Sequence, residues 1–224
     1  MSGAGPESLR LHGYWRSSCS WRVRIALNLK GLSYEYVPVH LLQDGGQQHT
    51  DAYRAKNPMR TVPVLELKDA SGQTQYLSQS LAILEFLEER HPSPALLPTD
   101  AFARARVRML AEMVNSGIQP LQNLSVMQHV KGPLGQDDKA WSAHWISRGL
   151  TALEQSLGAS AGRYCVGDSV TLADVCLVPQ LFASRRFGVD VASYPLLARI
   201  EAECEKLPAF QAAHASRQPD AVPA

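Results

Sequence analysis

The stretch VPVLELKDASGQTQYLSQSLAILEFLEER, Val62 to Arg90, decides the fold of the first half of the chain. Val62 to Leu67 is β-rich and opens with a proline, which suits an edge or the first residues of a strand. Asp69 to Gly72 reads as a turn, and Gln75 to Leu77 as the returning strand, so the two pair as a hairpin. Ser80 is placed to cap a helix from Leu81 to about Arg90, with Leu81, Ile83, Leu84 and Leu87 inward. Upstream, Leu9 to Tyr14 reads as a short strand closed by Gly13. Trp21 to Lys30 places Val23, Ala26, Leu27 and Lys30 at helical spacing, with Ile25 and Leu29 widening the face, and Gly31 follows where a helix would stop. Ser33 to Val39 is again β-rich. The order over residues 1–90 is therefore β-α-β, a loop, then β-β-α, an α/β unit.

Downstream the pattern changes. HPSPALLPTD, residues 91–100, carries three prolines; no helix continues through it, and it reads as a linker. Beyond it the strand signal disappears. Ala101 to Gly117, Gln119 to Val130, Asp138 to Leu157, Leu172 to Phe187 and Tyr194 to Leu207 read as helices, so residues 101–224 form an all-helical domain. Gln218 to Ala224 read as a frayed tail. Two unrelated small domains, or an α/β unit and a helical unit sharing a ligand cleft, both fit this layout.

The composition narrows the function classes. The chain has 224 residues, 45% of them apolar, with a net charge of +1. Such a balance offers no field for nucleic acid or an anionic membrane. No apolar run approaches a membrane span, and Met1 to Arg10 shows no basic region followed by an apolar one. Cys19, Cys165, Cys176 and Cys204 form neither a C-x-x-C pair nor a metal-ligand spacing, so they read as free thiols in a cytosolic chain.

Several motifs carry chemistry or capping. Ser17-Ser18-Cys19 follows the first strand and opens a helix, whose first N–H groups and dipole favour an anion. A hydroxyl or thiol there can stabilise a bound thiolate or be acidified itself, or the serines can simply cap the helix. Val62-Pro63 could be an ordinary trans bond; a cis bond would turn the Val62 N–H and C=O toward a peptide ligand. Gln79 and Ser80 precede an apolar helix and could hold a carboxylate or only cap it. In DSVTLADV, Thr171 and Asp174 read as reciprocal caps, a structural device. GIQPLQNLSVMQ, Gly117 to Gln128, clusters polar residues at a proline kink. In SRRFG, Arg185 and Arg186 either complement a helix C-terminus or reach a carboxylate.

Together these stretches resemble the zeta class of glutathione transferases, the family that includes maleylacetoacetate isomerases and bacterial maleylpyruvate isomerases. SSCSWRVRIAL, NPMRTVPVL, QSLAILEFLEE, GIQPLQNLSV, YCVGDSVTLADVCLVPQ and RQPD carry the likeness, in order, over nearly the whole chain. The resemblance implies a thioredoxin-like domain binding glutathione, a helical domain completing an acidic-substrate pocket, a cis Val62-Pro63 bond and a homodimer. It places Ser17, Ser18, Cys19, Ser20, Trp21 and Arg22 around the glutathione thiol. Gln48, Val62, Gln79 and Ser80 would hold the glutathione backbone and γ-glutamyl group, and Gln119, Asn123, Leu124 and Ser125 would close the site. Arg186, then Arg16, would take the substrate carboxylates. The hairpin through KDASGQTQYL is longer than the family pattern suggests, and Thr61 stands where the family often has glutamine.

The implied reaction is cis–trans isomerisation of a maleyl keto acid, maleylacetoacetate to fumarylacetoacetate as in aromatic amino-acid catabolism or, as the alternative, maleylpyruvate, by reversible thiolate addition. Glutathione is the cofactor, and Ser17, Ser18 and Cys19 are the candidate catalytic residues. Conjugation or dehalogenation of small α-halo acids is a rival of the same class. A binding protein without turnover is a rival of another class.

Overall fold

The computed structural model describes residues 8–69 and 71–222. Ala70 of the expected turn, the residues before Ser8 and the last two of the expected tail lie outside them. The chain divides into two compact units, one formed by 1–94 with 208–224 and the other by 95–207.

The first unit is built on a sheet of four strands, β1 (Ser8–Gly13), β2 (Glu35–Pro38), β3 (Val64–Lys68) and β4 (Thr74–Ser78), in the order β2-β1-β3-β4. β1 and β2 run parallel around α1 (Ser18–Leu29), whereas β3 is antiparallel to both β1 and β4. A short α2 (Asp51–Arg54) precedes β3, and α3 (Ser80–Arg90) follows β4. The expected strands and helices are all present, shifted by one to three residues. The segment between β2 and β3, expected as a loop, holds α2 and two single 3-10 turns; its polar residues carry no apolar period that would have marked them.

Register sorts the strand residues by face. Leu11 pairs with Leu65 and Leu9 with Leu67 on one face. Gly13 continues that face, and a Cβ on it would lie 3.2 Å from the Ser20 Cβ of α1. Any larger residue would push α1 or Tyr36 away by a few tenths of an ångström. The other face carries His12, Val64 and Glu66. There Val64 packs with Val39 and Tyr53, the latter from α2. Beside this cluster the Glu66 carboxylate accepts from Arg10 at 3.0 Å, from His12 Nε2 at 2.7 Å and from Lys56 at 3.2 Å. Burial pushes the Glu66 carboxyl up, but these three donors outweigh it and hold it at about 2. Burial, with the charges of Lys56 and Arg10, lowers the His12 pKa against the pull of Glu66.

The far end of α1 is fixed by a buried cation. Lys30 Nζ donates to Glu88 at 2.8 Å and to the carbonyls of His91 at 2.5 Å and Pro94 at 3.1 Å. These contacts tie the end of α1 to the end of α3.

The last segment of the chain belongs to this unit, which corrects the expectation of one helical domain over 101–224. Here α9 (Pro208–Ala213) packs on α1, and Asn28 donates to the Ala209 carbonyl at 3.1 Å. The described part of the expected frayed tail, residues 218–222, is held to this unit by hydrogen bonds. Gln218 donates to the Ala212 and His214 carbonyls, and Asp220 accepts from the Trp15 N–H and the Tyr36 hydroxyl.

The second unit contains α4 (Ala101–Asn115), α5 (Leu124–Lys131), α6 (Asp138–Leu157), α7 (Leu172–Arg186) and α8 (Pro195–Glu205). Asp100 caps α4 and Asp137 caps α6 through side-chain acceptors, as short acidic side chains at such positions do. The buried Asp174 carboxylate accepts the Thr171 N–H at 2.8 Å and the Cys165 N–H at 2.8 Å, so the capping device of DSVTLADV is present. Gln119 to Val130, expected as one kinked helix, is instead a 3-10 turn over Gln119–Gln122 followed by α5. Asn123 takes an extended conformation between them and accepts the Ser125 N–H. Proline at the start of the turn and an asparagine cap together favour a fresh start over a kink.

Glu66 sets an acid limit on stability. Its folded pKa lies below the ordinary 4.5, at about 2, so its contribution is present above pH 4.5 and lost as pH falls toward 2. Glu66→Gln should lower the unfolding free energy at neutral pH by about 2–3 kcal/mol. It should also flatten the loss between pH 4.5 and 2, as read by denaturant titrations across that window.

Candidate active site

Three segments converge at one end of the sheet in the first unit. Val64 of β3 lies between His12 of β1 and Ser78 of β4. The turn leaving β1 therefore runs into Ser17, the residues leaving β4 are Gln79 and Ser80, and the residues entering β3 are Val62 and Pro63. Strand register alone brings these together.

Ser17 is the N-cap of α1, with extended φ and ψ, and its Oγ accepts the Ser20 N–H at 3.2 Å. Since that oxygen is the acceptor, its own proton remains available to donate. Ser18 is buried and Cys19 is half-buried, in the first turn of the helix. Ser20, Trp21 and Arg22, expected around a thiol, lie instead in the interior. Ser20 is fully buried and its Oγ accepts the Tyr14 N–H at 3.4 Å. Trp21 presents its ring to His214, with centroids 4.9 Å apart. Arg22 is fully buried and donates to Ser80 Oγ at 3.1 Å. That bond ties the start of α1 to the start of α3.

Ser80 was expected as a cap, but Gln79 occupies the N-cap position and its side chain caps nothing. Gln79 has φ 71° and ψ 114°. A non-glycine residue at positive φ costs on the order of 1–3 kcal/mol and persists where the surroundings enforce it. Here the antiparallel strand before it and the buried Ser80 after it do so. The Val62–Pro63 bond is cis, as the resemblance implied, and the Val62 N–H and C=O make no hydrogen bond among the described residues. Gln48 is buried, with its Nε2 on the Leu41 carbonyl at 3.2 Å and its Oε1 without a partner. Arg16 is half-buried, its guanidinium 5.2 Å from the Trp15 ring centroid.

In the second unit, Gln119 is half-buried in the 3-10 turn, while Asn123 and Ser125 bond to each other at the start of α5 beside Leu124. Arg185 is held by a bidentate pair with Glu201, whereas the exposed Arg186 lies over the Phe187 ring at 5.2 Å.

Comparison with known proteins agrees with this geometry. Residues 11–95 match the model for the glutathione S-transferase N-terminal domain, and residues 142–208 that for the C-terminal domain. Maleylacetoacetate isomerase of Mus musculus is 52% identical over 211 residues, 94% of each chain. A crystal structure of maleylacetoacetate isomerase from Anaeromyxobacter dehalogenans with bound GSH in its active site superposes with a TM-score of 0.89 at 54% identity. It covers 96% of this chain and 99% of that one. A holo structure of maleyl pyruvate isomerase, a bacterial glutathione S-transferase of the zeta class, gives 0.89 at 45% identity, over 95% and 100% of the two chains. The chain is a zeta-class glutathione transferase.

Sequence reasoning missed several buried polar groups of this transferase. Arg24, inside the apolar run after Ser17, is fully buried and bonds to the carbonyls of Tyr14 and Trp15. It stands between the buried Val23 and Ile25, but an arginine in such a run ordinarily faces water, so its place gave no sign of these partners. In the helical unit, Gln122 donates to Gln180 at 2.8 Å, and the Gln180 amide in turn reaches Ser184 Oγ at 3.3 Å. Nothing in the helical periods marked that chain.

The backbone at Gln79 separates stability from ligand binding. Gln79→Gly relieves the positive φ, so its unfolding free energy should equal or exceed the wild-type value by up to about 1 kcal/mol. Gln79→Ala keeps the strain and gains nothing. Both variants should bind immobilised glutathione more weakly, measured alongside denaturant unfolding.

Proposed function

We propose that this transferase catalyses glutathione-dependent cis–trans isomerisation of a maleyl keto acid. The observation that carries the reading is the convergence of two helix N-termini, with Ser17 at one and Gln79-Ser80 at the other. Arg22 couples them, and the open backbone edge of Val62 lies alongside. A tripeptide with a thiol and an α-amino-carboxylate fits those groups. The Val62 N–H and C=O suit its peptide backbone. The α3 N-terminus with Gln79 and Ser80 suits its γ-glutamyl carboxylate, and the α1 N-terminus suits its sulfur. Gln48, with a buried unpaired Oε1, offers an acceptor for a backbone N–H.

Glutathione, when bound, supplies a thiolate for reversible addition to a conjugated carbon–carbon double bond, which rotates while it is single. The protein's part is electrostatic. Ser17 donates its hydroxyl proton toward the sulfur while the Ser20 N–H fixes its oxygen. The N–H groups opening α1 add the positive end of the helix dipole. Each unit by which they lower the thiol pKa is worth about 1.4 kcal/mol. Cys19 stands in the same turn, but a second thiol duplicates the one the cofactor brings. In the first unit Arg16, and in the second Arg186, are the guanidinium groups the resemblance offers for substrate carboxylates; Gln119, Asn123 and Ser125 are the polar residues it offers from the helical unit.

The reading extends to a cytoplasmic homodimer. No described helix is long and apolar enough to cross a membrane. Met59, Phe102 and Met109 are exposed apolar side chains, at 70%, 71% and 47%, of the kind a second copy would cover.

Ser17→Ala should lower kcat/KM by about a hundredfold or more, and Cys19→Ala by less than about threefold. The assay follows the loss of conjugated-enol absorbance of maleylacetone and of maleylpyruvate with catalytic glutathione. The opposite ranking of the two variants removes Ser17 from its role. No turnover of either substrate removes the isomerase reading.

A further inference from the structure

The peptide joining Tyr14 to Trp15 carries the chain from β1 into α1. Its N–H, on Trp15, donates to Asp220 Oδ2 at 2.9 Å. Its carbonyl, on Tyr14, accepts the Ser17 N–H at 3.0 Å and faces Arg24 Nη1 at 3.5 Å. The next carbonyl, on Trp15, accepts Arg24 Nη2 at 2.9 Å. A carboxylate thus stands at the N–H end of one peptide dipole and a guanidinium at its carbonyl end. Both charges match the dipole, whose moment is about 3.5 D. A peptide polarised in this way accepts more strongly at its oxygen, and that oxygen is the one that holds Ser17.

Asp220 lies 205 residues beyond Trp15. It is set by the Tyr36 hydroxyl of β2, which donates to the same oxygen at 3.3 Å. The ionisable groups of the packed elements that act on it are Arg24 from α1 and Tyr36 from β2. No other hydrogen bond links the described tail beyond Gln218 to the turn before Ser17.

We propose that Asp220 is a positioning residue for the Ser17 hydroxyl, acting through the Tyr14–Trp15 peptide to fix the α1 N-cap against the cofactor's sulfur. The inference rests on the role given to Ser17 above. It places a determinant of thiol activation at the opposite end of the sequence from the site. A tail that merely anchored α9 would have no reason to direct a carboxylate at this one N–H.

The test compares wild type with Asp220→Asn, which keeps an acceptor oxygen but removes the charge, and Asp220→Ala, which removes both. Two readouts are taken at equal folded fraction. One is the pH dependence of kcat and of KM for glutathione with maleylacetone. The other is amide hydrogen exchange at Trp15 and Ser17. For Asp220→Ala, kcat should fall about tenfold with KM for glutathione within about threefold. The acid limb of the profile should rise by about half a pH unit, and both amides should exchange about tenfold faster or more. Asp220→Asn should fall between and still show the raised limb. It decides the matter by the same readouts where Asp220→Ala fails to fold. An unmoved acid limb with unchanged Ser17 protection overturns the proposal. If the wild type itself does not isomerise, the functional reading fails separately, and Ser17 protection alone decides: faster exchange in the variants upholds the positioning role and unchanged exchange ends it.

Discussion

A guanidinium with no exposure to water sits at the centre of the first unit. Arg24 donates to the carbonyls of Ala213, Tyr14 and Trp15, between the rings of Trp21 and Tyr36 at 6.0 and 5.9 Å. Burial lowers its pKa, and Tyr36, Tyr34 and Asp220 pull it back. A cation buried this deeply is tolerated only when its donors are met, and leaving one of them without an acceptor costs about 1–3 kcal/mol or more. Its acceptors belong to two stretches of chain, the turn before Ser17 and the end of α9. The shape of the thiol-binding turn and the docking of α9 are therefore one problem with one solution.

α1 repeats this device along its length. Arg22 reaches Ser80, Arg24 reaches the turn and α9, and Lys30 reaches Glu88 and the residues ending at Pro94. Each cation couples the helix to a different segment. The helix that presents Ser17 is held by hydrogen bonds of fixed direction as well as by apolar packing, which has none. Directional restraint matters for a group that must meet a sulfur at hydrogen-bonding distance.

How far the sequence could be read follows from the same chemistry. Period and punctuation revealed the strands, α1, α3 and the long helices, because apolar faces and glycine stops are local signals. The capping pair Thr171 and Asp174 was legible for the same reason. The fate of Arg22 and Arg24 was not, since arginines in an amphipathic run ordinarily face water and their partners here are distant in sequence. Pro120 could equally kink a helix or begin one, and only Asn123, capping α5, resolved it. Gln79 gave no sign of its positive φ, which tertiary packing imposes. The resemblance supplied the candidate glutathione residues. Geometry then divided them into those at the converging sheet end, such as Ser17, Val62 and Gln79, and those that brace it from within, such as Ser20, Trp21 and Arg22.

The first unit is interrupted: the helical unit is inserted between Pro94 and Pro208. This gives the two units an order of birth on the ribosome. The sheet, α1 and α3 emerge first, but Arg24 still lacks the Ala213 carbonyl and the Tyr14–Trp15 peptide still lacks its carboxylate. The helical unit has all its residues before either arrives. Completion of the thiol-binding turn is thus deferred until after the inserted unit has been synthesised, and a nascent chain halted between the two would carry the residues of its active site without the groups that set them.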